Sequence, residues 1–320
     1  MALITAAGKQ SVADSAGAWF INQLEKFDPV IHQPLSAVTW GRDIKLRTDV
    51  SFADESTSYA NATYTASGSH GDVDFSGAND TSLQGVDVDM EKTTTPLMLW
   101  VRQIGYSNIE EARASRLNLV TERLNAMNLK YQMDVDRMVY VGSYRHKMHG
   151  LVNSPKVTNL SPVSTGAGGG TTAKSKTVDE ILADVNEVLS SVWQMSGLAF
   201  PPSKLLMSAE LFGYLTARRL DGPSNMSVIN FIRENSLCLS VLGKELDIQP
   251  VKWLSGVGAA GTNRMVAYTD DADRVRYPLV PLQRVAPPEY RGIHTLQAYQ
   301  AMMGGVEFLY PETIGYRDGL

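Results

Sequence analysis

The sequence predicts an α+β protein in which one long helix is set against segregated strands, and three stretches carry that prediction. Between Asn108 and Gly142, apolar residues recur at three- and four-residue steps with no Pro or Gly between them. Between Thr48 and Glu91 no helical period survives, and short alternating runs such as VDVDM and DVDF take over. From Arg274 onward, VRYPLVPL, TLQAYQAMM and GGVEFLYPETIGY read as strands broken by Pro287-Pro288 and Gly304-Gly305.

In chain order, SVADSAGAWFINQLEKF reads as a short helix. Val12, Trp19, Phe20, Leu24 and Phe27 give it an apolar side, and Asp28-Pro29 stops it. It could belong to the core or be a docking arm. WGRDIKLRTDVSF alternates as a strand would, with Ile44, Leu46 and Val50 on one face. Next comes the acidic region from Thr48 to Glu91. It holds no Lys or Arg but nine carboxylates: Asp49, Asp54, Glu55, Asp72, Asp74, Asp80, Asp87, Asp89 and Glu91. A two-armed hairpin over this region, with arms of about 20 residues, would reach roughly 60 Å. So acidic a stretch reads either as disordered or as an ordered hairpin. A lone hairpin is marginal in water, so an ordered one takes its missing partner surface from elsewhere, such as a second copy of the chain.

The long helix starts with Asn108 as N-cap and with Glu110 and Glu111 in its first turn, where the helix dipole favours acids. Leu117, Val120, Leu124, Met127, Tyr131, Val135 and Met138 form its stripe. The predicted span of 109–141 is about 50 Å long at 1.5 Å per residue. Its exit is YRHKMHGLVN, read as the turn that ends the helix, with Gly150 in the C-cap role. SPVSTGAGGGTTAKS then reads as a flexible linker or loop. The segment from about 156 to 270 reads as one compact α+β unit. It contains the helix TVDEILADVNEVLSSVWQMSG, the buried strand KLLMS, the helices SAELFGYLTARRL and SVINFIRENSLCL, and the strands DIQPVKWL and RMVAYT.

Composition narrows the function classes. The chain has 320 residues, 43% hydrophobic and 20% charged, in the range of globular proteins. Its single cysteine, Cys238, excludes an internal disulfide. No apolar run reaches the 18 residues of a membrane span, and the start has no secretory-signal pattern. A formal net charge of −5 argues against a basic surface that wraps nucleic acid.

Four motifs imitate chemical sites. His146 and His149 are spaced to share a helical face, but Lys147 and Met148 stand between them and no third ligand is in sight. GGGTTAKS, residues 168–175, approaches a phosphate-binding loop, yet Ala173 replaces the glycine that lets the backbone curl around phosphate. DVDFSGANDTSL, residues 72–83, approaches a calcium loop through Asp72, Asp74 and Gly77. Leu83 stands where a bidentate Glu is needed. Cys238 lies in the apolar run SLCLSVL, the setting of an inert buried thiol. The sequence therefore assigns no catalytic, cofactor-binding or metal-binding residue, and no cofactor.

The order of parts resembles the major capsid proteins of tailed bacteriophages with the Hong Kong 97 type fold. The carriers are Asp136…Tyr140-Val141-Gly142 running into Gly150-Leu151-Val152-Asn153, and the closing GGVEFLYPETIGYRDGL. The resemblance implies an N-terminal arm over 1–41 and an extended loop over 42–92 that laps a neighbouring subunit. It implies a peripheral domain over 93–155 and 271–320 with its spine helix at 109–141, and an axial domain over 156–270. The implied function is a subunit that self-assembles through pentamers and hexamers into an icosahedral head around double-stranded DNA. It would be made in the bacterial cytoplasm, with separate scaffolding, portal and cement proteins as possible partners. Some relatives cross-link through a lysine in the extended loop; Thr48–Glu91 has none, so non-covalent assembly is expected. No long charged helix precedes the arm, so a fused scaffolding segment is not expected. The rival readings are an encapsulin-type compartment shell and, from another class, a soluble metal- or nucleotide-dependent enzyme.

Overall fold

The computed structural model describes residues 37–66, 86–107, 119–220 and 226–319. The predicted N-terminal helix, the calcium-like stretch 72–83 and the first turns of the long helix lie outside them.

The described chain begins with a single helical turn, α1 (Trp40–Asp43), and a short strand, β1 (Lys45–Arg47). The start of WGRDIKLR is thus helical, against the strand its alternation predicts. Its first turn is held by Asp136, whose Oδ1 accepts the Thr39 and Trp40 amides at 2.9 and 3.2 Å. Orphan amides at a helix start need an acceptor, and here a distant carboxylate supplies it. Ile44 is buried as predicted, but Leu46 is 37% exposed.

β2 (Ser56–Ala66) and β3 (Val86–Pro96) pair antiparallel from Ser56↔Pro96 to Ala66↔Val86. The predicted hairpin is therefore present, with described arms of 11 residues, or about 36 Å at 3.3 Å per residue. Leu97 alone separates β3 from β4 (Met98–Ser107), a strand absent from the sequence-based expectation. α2 (Leu119–Tyr140) is the described part of the long helix.

α2 ends earlier than the histidine-containing turn. Gly142 adopts φ +71° just past its end, the left-handed conformation that glycine tolerates. The chain then makes a small hairpin, β5 (Gly142–Ser143) and β6 (Met148–His149), around a 3₁₀ turn at Tyr144–His146. Gly150 is not the cap. A Cβ on it would overlap the Tyr140 carbonyl, so its smallness lets the hairpin fold back against the helix end. His146 and His149 consequently share no helical face.

β7 (Thr158–Asn159) leads into the stretch read as a flexible linker or loop, and of the two it is a loop, held by its own backbone hydrogen bonds. Gly168 N donates to Ser175 O at 2.9 Å, and Gly166 N to Gly170 O at 2.8 Å. A Cβ at Gly168 would sit 2.7 Å from Ser175 O, so glycine here permits close packing rather than mobility. α3 (Val178–Met195) follows with a full capping box between Thr177 and Glu180. Then come β8 (Lys204–Ser208), α4 (Ala209–Ala217), α5 (Val228–Glu234), α6 (Leu237–Leu242), β9 (Asp247–Val251) and β10 (Arg264–Tyr268). The helix read in SVINFIRENSLCL is two, because Ser236 caps α6 by accepting the Leu239 amide.

The tail supplies β11 (Val275–Arg284), β12 (Glu289–Arg291), β13 (His294–Met303), β14 (Glu307–Phe308) and β15 (Ile314–Asp318). It divides between two sheets. In the six-stranded sheet, β13 pairs with β4 over ten residues and with β11 and β12 on its other side, while β1 and β14 pair with β11. β15 instead enters a five-stranded sheet ordered β7-β15-β10-β8-β9.

That five-stranded sheet is a wall between two cores. Leu205, Met207, Met265 and Ala267 face a cluster with Ile181, Val185 and Val188 of α3. Leu206, Val266, Tyr268 and Tyr316 face a cluster with Tyr131, Val135 and Val139 of α2. Burial on both faces explains why KLLMS shows no alternation. Each fully buried side chain of this size contributes about 1.5–3 kcal/mol.

Candidate functional site: the hairpin and the edge of β4

The base of the large hairpin is fixed by charge. Glu307 is fully buried, and its carboxylate takes Arg47 Nη1 at 3.0 Å and Arg276 Nε at 2.7 Å. β1 carries Arg47, β11 carries Arg276 and β14 carries Glu307, so the sheet itself brings the three together. Burying a carboxylate is tolerable only with such partners.

Above the base, one face of the hairpin rests on the body. Tyr59 Oη donates to Phe308 O at 2.8 Å, and Asn61 Nδ2 donates to Leu309 O at 2.7 Å. Lys156 Nζ donates to Thr93 Oγ1 at 3.0 Å. Burial is the main cause that pushes the Tyr59 phenol pKa up. Beyond Asn61 the described side chains turn to solvent. Ala62, Val88, Asp89, Met90 and Glu91 are all exposed, Met90 at 70%. Strand alternation puts Asp89 and Glu91 on the Asn61 face, and Val88 and Met90 on the face turned away from the body.

A second surface lies along β4. Among the described residues, β4 pairs only with β13, which leaves its other edge open. Leu99 and Val101 on that strand are 56% and 50% exposed. Trp100, on the opposite face, packs edge-on to Tyr131 with ring centroids 5.5 Å apart, and its Nε1 donates to Asp134 Oδ2 at 3.1 Å. Beside this edge runs a groove of about 630 Å³, walled by the last turns of α2 and the β5–β6 hairpin. Met98, Leu99, Trp100, Met138 and Val141 line its apolar part, with Asp134, Arg137, Arg145, His146 and His149 also lining it. Tyr144 stands 98% exposed on the same hairpin.

The motif residues fall as follows. His146 and His149 both line the groove and are exposed, and among the described residues no group of three His, Cys, Asp or Glu is placed to hold a metal. In the glycine loop, the Gly168, Gly169 and Ser175 amides donate to backbone carbonyls, and the amides flanking it are held by a carboxylate. Glu180 takes the Ala167 amide at 3.0 Å and the Thr177 amide at 2.8 Å. The Thr177 amide leads the causes, with burial opposing and the Ala167 amide next, that keep the Glu180 carboxyl below the usual range. Cys238 is buried, and burial pushes its thiol up, away from the thiolate a nucleophile needs. Among the described residues no helix is long and apolar enough to cross a membrane.

Comparison with known families decides the class. A family model described as Major capsid protein matches residues 71–320. The chain belongs to the major capsid protein family. Among solved structures, this capsid protein is similar to the capsid of Myoviridae phage XM1, at 16% identity and a TM-score of 0.75, over 93% of this chain and 98% of that one. It is similar to the capsid of the native GTA particle at 12% identity and TM-score 0.61, over 92% and 94% of the two chains. Mycobacterium phage Adephagia gives 13% identity and TM-score 0.56, over 92% and 95%. No curated protein sequence matches. The fold is the Hong Kong 97 type, with mixed helix and sheet. The family match places the protein in the phage head shell, in the virion, and favours that reading over an encapsulin-type compartment. Such a shell is built from many subunits.

Sequence reasoning missed the edge of β4. Its signal was present in LMLWVRQIGY, a run rich in β-favouring residues between Pro96 and Asn108.

Proposed function

We propose that this capsid protein assembles through pentamers and hexamers into an icosahedral head around double-stranded DNA, held by non-covalent contacts. The supporting observation is the hairpin. Its base is locked by Glu307, while its outer part carries exposed Val88 and Met90 on the face turned away from its own body. Such a surface gains its partner from a neighbouring subunit, and obligate contacts of this kind bury upward of roughly 2,000 Å². Residues 42–92 act as the lapping loop and residues 156–270 gather around the symmetry axes. Residues 1–41 form an arm, and 93–155 with 271–320 form the periphery, the last strand of which joins the inner sheet. Assembly occurs in the host cytoplasm, with scaffolding, portal and cement proteins as separate chains. The role is structural, and no residue is assigned to catalysis.

Overexpressed protein imaged by negative-stain electron microscopy tests this. Wild type should give closed shells or five- and six-membered rings. Replacing residues 63–89 by a two-residue turn keeps Tyr59 and Asn61 and should give folded subunits or rings that do not close. Normal shells from that deletion would sink the reading.

A further inference from the structure

We infer that the outer strand of the acidic hairpin, at Val88–Glu91, adds to the open edge of β4 in a second copy of the chain and lies in the groove beside it. This rests on the head-shell reading and names the receiving site, which that reading leaves open.

Three independent features of the two surfaces agree. The first is the backbone. β4 offers a ten-residue strand with one edge unpaired among the described residues, and such edges recruit strands. The second is the side-chain alternation. In β4, Leu99 and Val101 share one face while Trp100 and Arg102 share the other, toward α2. In β3, Val88 and Met90 share one face while Asp89 and Glu91 share the other. A strand laid beside β4 can therefore put apolar against apolar on one face. The same register puts its acids against Arg102 and the Arg137–Arg145 wall on the other. The third is charge. Thr48–Glu91 carries nine carboxylates and no Lys or Arg, and the groove presents Arg137, Arg145, His146 and His149 beside one carboxylate, Asp134, which Lys130 already pairs. Like charges would repel at that distance and opposite charges fix register.

A second copy is required. Within one chain, β3 is joined to β4 by Leu97 alone, so β3 runs on from β4 and cannot turn back alongside it. Cross-strand apolar pairs such as Met90 with Leu99 add little singly, and repetition around a ring multiplies that small gain.

Cysteine pairing tests the geometry in assembled particles. Val88→Cys or Met90→Cys is combined in turn with Leu99→Cys or Val101→Cys, giving four double variants and four single controls. Directly opposed strand residues fall within disulfide reach, and Cys238 is buried, so it does not compete. At least one double variant should give an oxidant-dependent ladder of linked subunits that the single variants lack. A charge exchange tests it separately. Arg145→Glu should lower shell yield about tenfold, and adding Glu91→Lys should restore it, as expected of opposed charges at an interface. Normal shells in which no pair cross-links, or an Arg145→Glu defect that Glu91→Lys deepens, would overturn the strand addition while leaving the shell reading intact. A wild-type chain that forms no shell under any condition overturns the shell reading, and the inference falls with it.

Discussion

Arg47 Nη1 lies 3.0 Å from Glu307 Oε1, although the two residues are 260 positions apart in the chain. Glu307 has no exposed surface, and Arg276 holds its other oxygen. The pair joins the foot of the hairpin to the sheet, and it depends on the anion. Glu307→Ala leaves two guanidinium groups without their counter-charge. Because both arginines keep some solvent, the cost should be about 2–3 kcal/mol, below the range for a wholly buried pair. Thermal unfolding of unassembled subunits should show a drop of several degrees, with Arg47→Ala costing less. An unchanged melting temperature for Glu307→Ala would refute this account.

Two glycines should respond oppositely to the same methyl group. Gly168→Ala places a carbon 2.7 Å from Ser175 O, and overpacking of this kind costs about 1–3 kcal/mol. Gly213 lies inside α4, and a Cβ added there would meet nothing within 4 Å, so Gly213→Ala should stabilise by about 0.5–1 kcal/mol. Denaturant midpoints of the two variants decide it.

Two buried tyrosines make a second contrast. Tyr268 Oη donates to the Asp43 carbonyl, whereas the buried Tyr277 hydroxyl has no hydrogen-bond partner among the described residues. Burial is the leading cause that pushes both phenols far above their ordinary range. Tyr268→Phe should cost about 1–3 kcal/mol by orphaning an acceptor, while Tyr277→Phe should be neutral or slightly stabilising. Equal losses in chemical unfolding would contradict this.

Acid should act on Asp318. Burial alone would raise its carboxyl pKa, but Arg264 at 2.7 and 2.9 Å and the Ala259 amide hold it below the usual carboxylate range. A depressed folded-state pKa means stability that is present above the unfolded value and lost as pH falls through the folded one. Wild type should therefore lose stability below about pH 4, where free carboxylates of this type protonate. Asp318→Asn should be less stable at pH 7 and show a flatter acid limb. A wild-type and variant difference that stays constant from pH 7 to pH 3 would count against the linkage.

Where a local rule decided the structure, the sequence was readable. The stripe of α2, the amphipathic run of α3 and the acidic alternation of β3 all lie within a few residues of their cause. What escaped depended on distant partners. α1 is helical because Asp136 accepts its amides, and nothing within WGRDIKLR announces that. The glycine loop looks mobile by composition, yet its glycines serve close approach to Ser175. YRHKMHG looks like a helix end because its charges suit one, while Gly142 has already ended the helix. The edge of β4 went unseen because openness is a property of the sheet and not of the strand.

The wall between the two cores also orders events during synthesis. β15 lies between β7 and β10, so the five-stranded sheet has a gap in its interior until Ile314–Asp318 has been made. β7 is left without its partner strand, and Val266 and Tyr268 without Tyr316 beside them, for the whole interval in which residues 160–313 are translated. A ribosome-bound fragment therefore lacks the Ile314 and Tyr316 side of the core shared with α2, whereas the other core draws only on residues up to Ala267. The two cores thus close in order, and the one shared with α2 closes only once the last strand has been made.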